Sequence, residues 1–272
     1  MNDLMDRAAR LGPTSVLDIG CGPGSFSLGL ASRAPVRVLA IDLNPVFLER
    51  ARSSLRATAL AGEVDFVERP LLEDEATRFD LVVCIGSSAA AGSPRQALHR
   101  CRQLTRTGGA VVFADLTWRA SPHAAFLSFL GVDDTFYWRS ADGRRVFEQS
   151  GLEVLHECEA SDEAWQAYET AVYAGRLRLA DALPAEEAER LRHRAATWFD
   201  MFERHGRACF GFNAYVARPM GCTRSGQCLR RPGESADSPR IVVPVTVSRS
   251  PAPAPPSGRR AVPHREQVPF GQ

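Results

Sequence analysis

One short segment, from Val16 to Gly24, restricts the possible folds of this chain more than any other. It reads Val-Leu-Asp-Ile-Gly-Cys-Gly-Pro-Gly, an apolar run followed by three glycines at alternate positions. The apolar run predicts a buried strand. The glycines predict a tight turn whose backbone can approach a ligand closely before a helix begins. A strand, a glycine turn and a helix in this order indicate an α/β protein with a ligand at the turn.

The spacing of the glycines narrows the class of ligand. A dinucleotide fingerprint would need glycine at position 25, which is Ser25. Asp18 places a carboxylate beside the turn, where it would disfavour a pyrophosphate and attract a cationic ligand. Asp42 ends the next predicted strand, 18 residues after Gly24, and its carboxylate can accept hydrogen bonds from both hydroxyls of a ribose.

Strands and helices alternate over the first half of the chain. Buried strands are predicted at Ser15–Ile19, Arg37–Ile41, Val64–Val67, Phe79–Ile85 and Ala110–Ala114. Helices are predicted at Phe26–Ala31, from Pro45 to about Leu60, and at Pro94–Leu104. Alternation of this kind implies right-handed crossovers and a mostly parallel sheet that is covered on both faces. The sequence therefore predicts a doubly wound α/β fold.

The pattern changes after Asp115. Residues 116–143 are rich in aromatic side chains, and a short helix (Arg144–Ser150) and a strand (Leu152–Cys158) follow. Residues 161–205 predict two helices, and Phe210–Ala217 predicts a last strand. We therefore expect a seven-stranded sheet in residues 1–220, with 161–205 as a helical cap inserted before the last strand.

Composition separates residues 221–272 from the rest. They hold nine of the 18 prolines, and eight arginines against three acids. This composition cannot bury enough apolar surface to offset its ordering entropy, so we predict a disordered, proline- and arginine-rich tail. The remaining 220 residues carry a net charge of −4, which disfavours a polyanionic partner such as nucleic acid.

The apolar stretches and the cysteines of the sequence predict the cellular compartment of the protein. No stretch approaches the roughly 20 apolar residues that span a bilayer, and residues 1–15 lack the apolar region of a signal peptide. Seven cysteines without regular spacing fit a reduced cytoplasm better than a disulfide framework. We expect a cytoplasmic protein without a membrane span, and the sequence leaves its oligomeric state open.

Four segments, in chain order, carry a family resemblance. They are Val-Leu-Asp-Ile-Gly-Cys-Gly-Pro-Gly at 16–24, Ala-Ile-Asp-Leu-Asn-Pro at 40–45, Phe-Asp-Leu-Val-Val-Cys at 79–84 and Leu-Thr-Arg-Thr-Gly-Gly-Ala-Val-Val at 104–112. Together they resemble the class I S-adenosylmethionine-dependent methyltransferases and imply that family's Rossmann-like fold. The resemblance covers roughly residues 10–116 and the closing strand near 210–217.

The resemblance implies S-adenosylmethionine as the cofactor and assigns roles at the glycine turn. Gly20, Gly22 and Gly24, with Cys21 between them, would surround the methionine part of the cofactor. Asp18 would help to place its amino group.

Further cofactor contacts are implied after the next three strands. Asp42 would bind the ribose, and Leu43 would pack on the adenine. The family often has an acidic residue after the third strand, but this chain has Pro70 there, so adenine recognition would pass to the backbone near Leu71. Cys84 would line the methionine end of the site, with a small buried strand residue as the alternative interpretation.

The sequence also bears on the methyl acceptor. Cys84-Ile-Gly-Ser87 matches neither the Asn/Asp-Pro-Pro-Tyr/Phe motif of DNA amino methylation nor the Pro-Cys pair of cytosine C5 enzymes. The aromatic segment 116–138 and the insertion 161–205 are expected to roof a pocket for a small, partly apolar acceptor. The alternatives are a methyltransferase of RNA or protein that uses the arginine-rich tail, and a non-catalytic cofactor-binding module.

Candidate proton acceptors, or groups that orient the acceptor, are His123, Tyr168, Glu169 and His205. We expect the helix with Trp165 and Tyr168 to act as a lid, and a plain packed helix is the alternative. No metal site is expected, because Cys222 and Cys228 have no second pair of cysteines or histidines nearby in the sequence.

Overall fold

The computed structural model describes residues 1–221, which form seven strands and nine helices. The strands are β1 (Ser15–Ile19), β2 (Arg37–Asp42), β3 (Glu63–Glu68), β4 (Phe79–Ile85), β5 (Thr105–Trp118), β6 (Leu152–Glu159) and β7 (Phe210–Pro219). The helices are α1 (Asn2–Arg10), α2 (Ser25–Ala31), α3 (Pro45–Ala57), α4 (Pro94–Leu104), α5 (Ala124–Leu130), α6 (Gly143–Gln149), α7 (Asp162–Ala180), α8 (Ala185–Met201) and α9 (Arg207–Cys209).

The strands form one sheet in the order β3-β2-β1-β4-β5-β7-β6. Neighbours from β3 through β5 are parallel, and β7 runs antiparallel to both β5 and β6. The predicted seven-stranded, mostly parallel, doubly wound fold is confirmed. The carboxyl ends of β1, β2, β4 and β5 meet at one edge, where open α/β sheets bind ligands.

Hydrogen bonds at its two ends explain where α3 begins and ends. Asn44 caps α3 by accepting hydrogen bonds from the amides of Val46 and Phe47. The third helix was expected to reach about Leu60 but ends at Ala57. The amides of Ala61 and Gly62 donate to the carbonyl of Ala31 instead, and this leads the chain into β3.

The fifth strand is longer than the sequence predicted. Ala110–Ala114 was expected, whereas β5 spans Thr105–Trp118. Its carboxyl half pairs with β7 as far as Trp118 opposite Phe210. A sequence window ends at the polar residue Asp115, but pairing with a distant strand carries the ladder through it.

Apolar side chains form a core on each face of the sheet and a third cluster at its carboxyl edge. The third cluster includes Trp118, Phe126 and Tyr137, which are all buried. The ring of Trp118 stacks on Phe210 with centroids 5.0 Å apart. The aromatic side chains of segment 116–138 therefore supply core, not the expected roof.

The predicted disordered tail lies outside the described residues from 222 onward. Within residues 1–221, no helix combines the length and apolar character that crossing a bilayer requires.

Candidate active site

The three loop glycines adopt left-handed backbone conformations, with φ of +65° at Gly20, +53° at Gly22 and +79° at Gly24. Their surroundings differ. A Cβ on Gly20 would lie 2.3 Å from Cβ of Ser87, and one on Gly24 would lie 2.6 Å from the ring of Phe66. A Cβ on Gly22 would meet no atom within 4 Å. The outer glycines thus allow close packing, while the middle one faces open space.

Asp42 ties the glycine loop to the end of β2. Its Oδ2 accepts a hydrogen bond of 2.7 Å from the amide of Gly22, and its Oδ1 accepts one of 2.8 Å from the amide of Asn44. Each carboxylate oxygen can still accept another donor. The adjacent Leu43 leaves 62% of its surface exposed, so an apolar side chain stands uncovered beside the carboxylate.

Asp18 is buried in β1 and accepts a 2.5 Å hydrogen bond from the hydroxyl of Ser27 on α2. Burial raises its pKa to about 6, Ser27 opposes the rise, and the nearby negative charge of Asp42 adds to it. The carboxyl therefore fastens the start of α2 to the strand before the loop.

Three other residues that the resemblance implies as cofactor contacts are less exposed to solvent than Leu43. Cys21 is buried, and burial raises the pKa of its thiol well above the ordinary value. Cys84 is 1% exposed and belongs to the core on the face of α4. Leu71 is half-buried against the same core. The structure places Cys84 as a small buried strand residue, the alternative that its sequence context allowed.

Ser87 is a site residue for which sequence reasoning gave no role. Its hydroxyl donates a 2.5 Å hydrogen bond to the carbonyl of Ile19, and it lies against Gly20. It joins the end of β4 to the start of the glycine loop. The preceding Gly86 lines the pocket described next.

A pocket opens at the carboxyl edge between β4, β5, β7 and the helices α7 and α8. It has an empty volume of about 530 Å³, its open mouth included. Aromatic and aliphatic side chains line most of it, together with two acids and one arginine. The lining residues are Gly86, Asp115, Leu116, Trp165, Tyr168, Glu169, Val172, Arg176, Trp198, Phe210 and Phe212.

Stacked rings form one wall of the pocket. Trp165 stacks on Tyr168 of the same helix at 5.6 Å and on Phe212 of β7 at 5.8 Å. Tyr168 remains 46% exposed, which does not fit a side chain buried as core. Tyr173 instead stacks on Phe199 of α8 at 4.7 Å. The aromatic stripe of α7 thus divides between pocket lining and helix–helix packing.

Helices α7 and α8 form a roof over the pocket. Glu169 lies in this roof, on α7, and is only 4% exposed. Its Oε2 accepts a 2.8 Å hydrogen bond from Nε1 of Trp198, which links α7 to α8. Burial raises the pKa of Glu169, while the Trp198 bond and the positive charge of Arg176 lower it.

Asp115 is the pocket residue that sequence reasoning missed. It is 5% exposed, its Oδ1 accepts a 2.7 Å hydrogen bond from the amide of Leu116, and its enclosed Oδ2 has no hydrogen bond of ordinary geometry. Burial raises its pKa to about 6, and the hydroxyl and amide of Ser88 reduce the rise. A lone acid within the apolar run Val-Val-Phe-Ala-Asp-Leu was the available signal.

The two histidine candidates lie together but outside this pocket. Their rings stack with centroids 4.9 Å apart. Nδ1 of His123 accepts a hydrogen bond from the amide of Ala125 and caps α5. Neither His123 nor His205 lines the pocket. Of the sequence candidates for acceptor contact, the structure brings Tyr168 and Glu169 to the pocket and leaves the histidines aside.

Within residues 1–221, no group of three or more His, Cys, Asp and Glu side chains is placed to hold a metal ion.

A family model described as a methyltransferase domain matches residues 16–109, which contain the glycine loop, Asp42 and β4. Residues 16–109 are therefore similar to the class I S-adenosylmethionine-dependent methyltransferases. The methyltransferase domain also shares its fold with a solved methyltransferase of Geobacter sulfurreducens in complex with S-adenosyl-L-homocysteine. That structure superposes with a TM-score of 0.70 at 18% identity, over 80% of this chain and 91% of that one.

Two curated relatives differ in how much of the methyltransferase they match. The ubiquinone biosynthesis O-methyltransferase of Alkalilimnicola ehrlichii is 31% identical over 121 residues, which are 43% of this chain and 47% of that protein. The YjhP protein of Escherichia coli, described as uncharacterized, is 24% identical over 217 residues, 78% of this chain and 88% of that one. The chain thus spans about half the length of the relative whose reaction is named.

The residues at the loop fit the cofactor of this family. The space beside Gly22 is open to a ligand, Asp42 stands at the end of β2 with spare acceptor capacity, and the exposed Leu43 can be covered by an apolar ring. The loop and the end of β2 therefore offer backbone, carboxylate and apolar groups side by side.

Proposed function

We propose that the protein transfers a methyl group from S-adenosylmethionine to a small, largely apolar acceptor bound in the aromatic pocket. The observation that carries this proposal is the link between the two sites through Gly86 and Ser87. Ser87 packs against Gly20 of the loop, and Gly86 lines the pocket. A ligand at the loop and a ligand in the pocket would meet at the end of β4.

The loop residues take the binding roles in this proposal. The backbone around Gly22 receives the methionine part, Asp42 accepts hydrogen bonds from the ribose, and Leu43 packs against the adenine. Asp18 acts through Ser27 by holding α2 in place beside the loop. When bound, S-adenosylmethionine supplies an activated methyl group.

The pocket residues orient the acceptor. Trp165, Trp198 and Phe212 supply an apolar lining, and cover by α7 and α8 limits the access of water to the reacting atoms. Methyl transfer is an in-line displacement, so holding the acceptor at the correct angle and distance can supply most of the catalysis. The mostly aromatic and aliphatic lining of the pocket favours a small molecule over RNA or protein.

The test is a methyl-transfer screen with the full chain and S-adenosylmethionine labelled in its methyl group. Three acceptor pools are offered separately: small metabolites, total RNA and denatured protein. Mass spectrometry should find label in small molecules alone. Label in RNA or protein would overturn the acceptor class. Calorimetric binding of S-adenosylhomocysteine without transfer to any pool would favour the non-catalytic alternative.

A further inference from the structure

One buried carboxylate in the pocket, that of Asp115, has an oxygen atom whose hydrogen bonding is incomplete. Only 5% of the surface of Asp115 is exposed, and its Oδ2 accepts no hydrogen bond of ordinary geometry. A buried carboxylate oxygen that lacks a full hydrogen bond costs free energy that a ligand with a positive charge can offset. Asp115 also lines the pocket, which places its carboxyl group beside the space that a ligand would fill.

The charges around Asp115 leave it uncompensated. Glu169 and Arg176 lie together in the roof, where the arginine stabilises the ionised glutamate. Their charges oppose each other. The remaining titratable neighbours are Tyr168 in the roof and Tyr137, whose pKa burial raises first and the negative charge of Asp115 raises further. Both tyrosines are neutral near pH 7, so the pocket keeps a net negative charge.

The walls of the pocket also suit a cation. Trp165, Trp198, Tyr168, Phe210 and Phe212 surround the space above Asp115. The faces of aromatic rings attract ammonium groups, and Trp does so most strongly. An apolar cage with one uncompensated carboxylate selects a ligand that is both apolar and positively charged.

We propose that Asp115 binds the protonated amino group of the acceptor, so that the acceptor class is small aromatic or apolar amines. This inference rests on the proposed function, because it uses the same pocket. It concerns how the acceptor is recognised and not which of its atoms is methylated.

The experiment compares amines with alcohols of the same shape. Tryptamine is paired with tryptophol, and phenethylamine with 2-phenylethanol. Each is titrated by calorimetry at pH 7.5 into the full chain saturated with S-adenosylhomocysteine. At least one amine should bind about tenfold or more tightly than its alcohol, the scale expected for a hydrogen bond to a charged group.

Asp115→Asn should remove this preference, because the amide carries no negative charge. Asp133→Asn is the matched control, because Asp133 is an exposed carboxylate on the loop after α5 and does not line the pocket. The control should keep the preference for the amine. Equal binding of amine and alcohol, failure of both amines to bind, or an unchanged preference in Asp115→Asn would overturn the inference.

A pH titration of the unaltered protein tests the same point without a variant. The pKa of Asp115 is about 6, so its negative charge is present above pH 6 and is lost below it. The amines stay protonated throughout this range. Their preference over the alcohols should therefore fade between pH 7.5 and pH 5, and a preference that persists at pH 5 would contradict the inference. Binding of S-adenosylhomocysteine at pH 7.5 separates the outcomes, because its absence there in the unaltered protein would refute the proposed function itself.

Discussion

The donor site and the acceptor pocket share one edge of the sheet, but they are built in different ways. The donor site uses backbone geometry and a carboxylate from one continuous segment, residues 18–43. The acceptor pocket draws its lining from five parts of the chain between Gly86 and Phe212. Its roof helices bury few of their residues, whereas β1 and β4 are almost wholly buried. The strands that carry the glycine loop are therefore closely packed, whereas the helices α7 and α8 over the pocket are not. The two sites should respond differently to substitution for this reason.

The largest expected effect separates two glycines of one loop. Gly20→Ala places a Cβ 2.3 Å from that of Ser87, whereas Gly22→Ala meets no atom within 4 Å. Both substitutions carry the left-handed strain of roughly 1–2 kcal/mol, but only Gly20→Ala adds the cost of overpacking, about 1–3 kcal/mol more. Chemical denaturation of both variants measures this gap. Equal losses of stability would break the distinction between packing glycines and the ligand-facing glycine.

A second prediction concerns pH and the buried acid of the pocket. The pKa of Asp115 rises from 3.8 to about 6 on folding, so the folded protein binds more protons than the unfolded chain between these values. Stability from this group is present below pH 4 and is lost as pH rises through 6. Asp115→Asn should therefore gain about 2 kcal/mol relative to the unaltered protein between pH 4.5 and pH 7.5.

Unfolding curves at several pH values measure this difference. Asp133→Asn should show the opposite sign, because hydrogen bonds from Thr135 lower the pKa of Asp133 in the folded state. The stability that Asp133 provides is present above the unfolded pKa, so its loss shows at neutral pH. A pH-independent difference for Asp115→Asn would mean that this carboxyl titrates normally.

The third prediction concerns the donor site alone. Asp42→Ala removes the carboxylate that accepts from the Gly22 amide and that we propose to bind the ribose, and it should weaken S-adenosylhomocysteine binding by about 1.5–3 kcal/mol. Asp65→Ala, an exposed carboxylate in the neighbouring strand β3, serves as the control and should leave affinity unchanged. Calorimetry compares the two. An undiminished affinity in Asp42→Ala would remove the donor site from this edge.

The smallest expected effect on stability concerns the roof. Tyr168→Ala truncates a side chain that is 46% exposed, so it should cost less than ~1 kcal/mol of stability, well below the roughly 3–5 kcal/mol of a core aromatic. It should reduce turnover and leave cofactor affinity intact. Tyr173→Ala, which breaks the stack on Phe199, should cost more stability. Thermal melting decides between them, and a large loss in Tyr168→Ala would show that the roof is ordinary core.

The sequence predicted the glycine loop and the strands on either side of it well because their determinants are local. The left-handed glycines, the apolar strand before them and Asp42 at the next strand end all follow from short patterns in one segment. The predicted limits of β1, β4 and α4 agree with the structure for the same reason. Helix α3 ends at Ala57 and not at about Leu60, because the amides of Ala61 and Gly62 donate hydrogen bonds to the carbonyl of Ala31.

The acceptor pocket could not be assembled in the same way. Asp115, Arg176 and Phe212 become neighbours only through the pairing of β5 with β7 and the return of α7 over the sheet edge. No local pattern assigned the rings of 116–138 to the core and those of 165–212 to the pocket. His123 lay near the predicted site in sequence, yet it caps α5 and stacks on His205.

The most direct test of the account is a crystal structure of the full chain with S-adenosylhomocysteine. The ligand should lie along Gly20–Gly24, with its ribose hydroxyls within hydrogen-bond distance of Asp42. Its sulfur should face Gly86 and the aromatic pocket that contains Asp115. A ligand bound elsewhere, or bound at the loop with its sulfur turned away from this pocket, would contradict the central claim that the two sites meet at the end of β4.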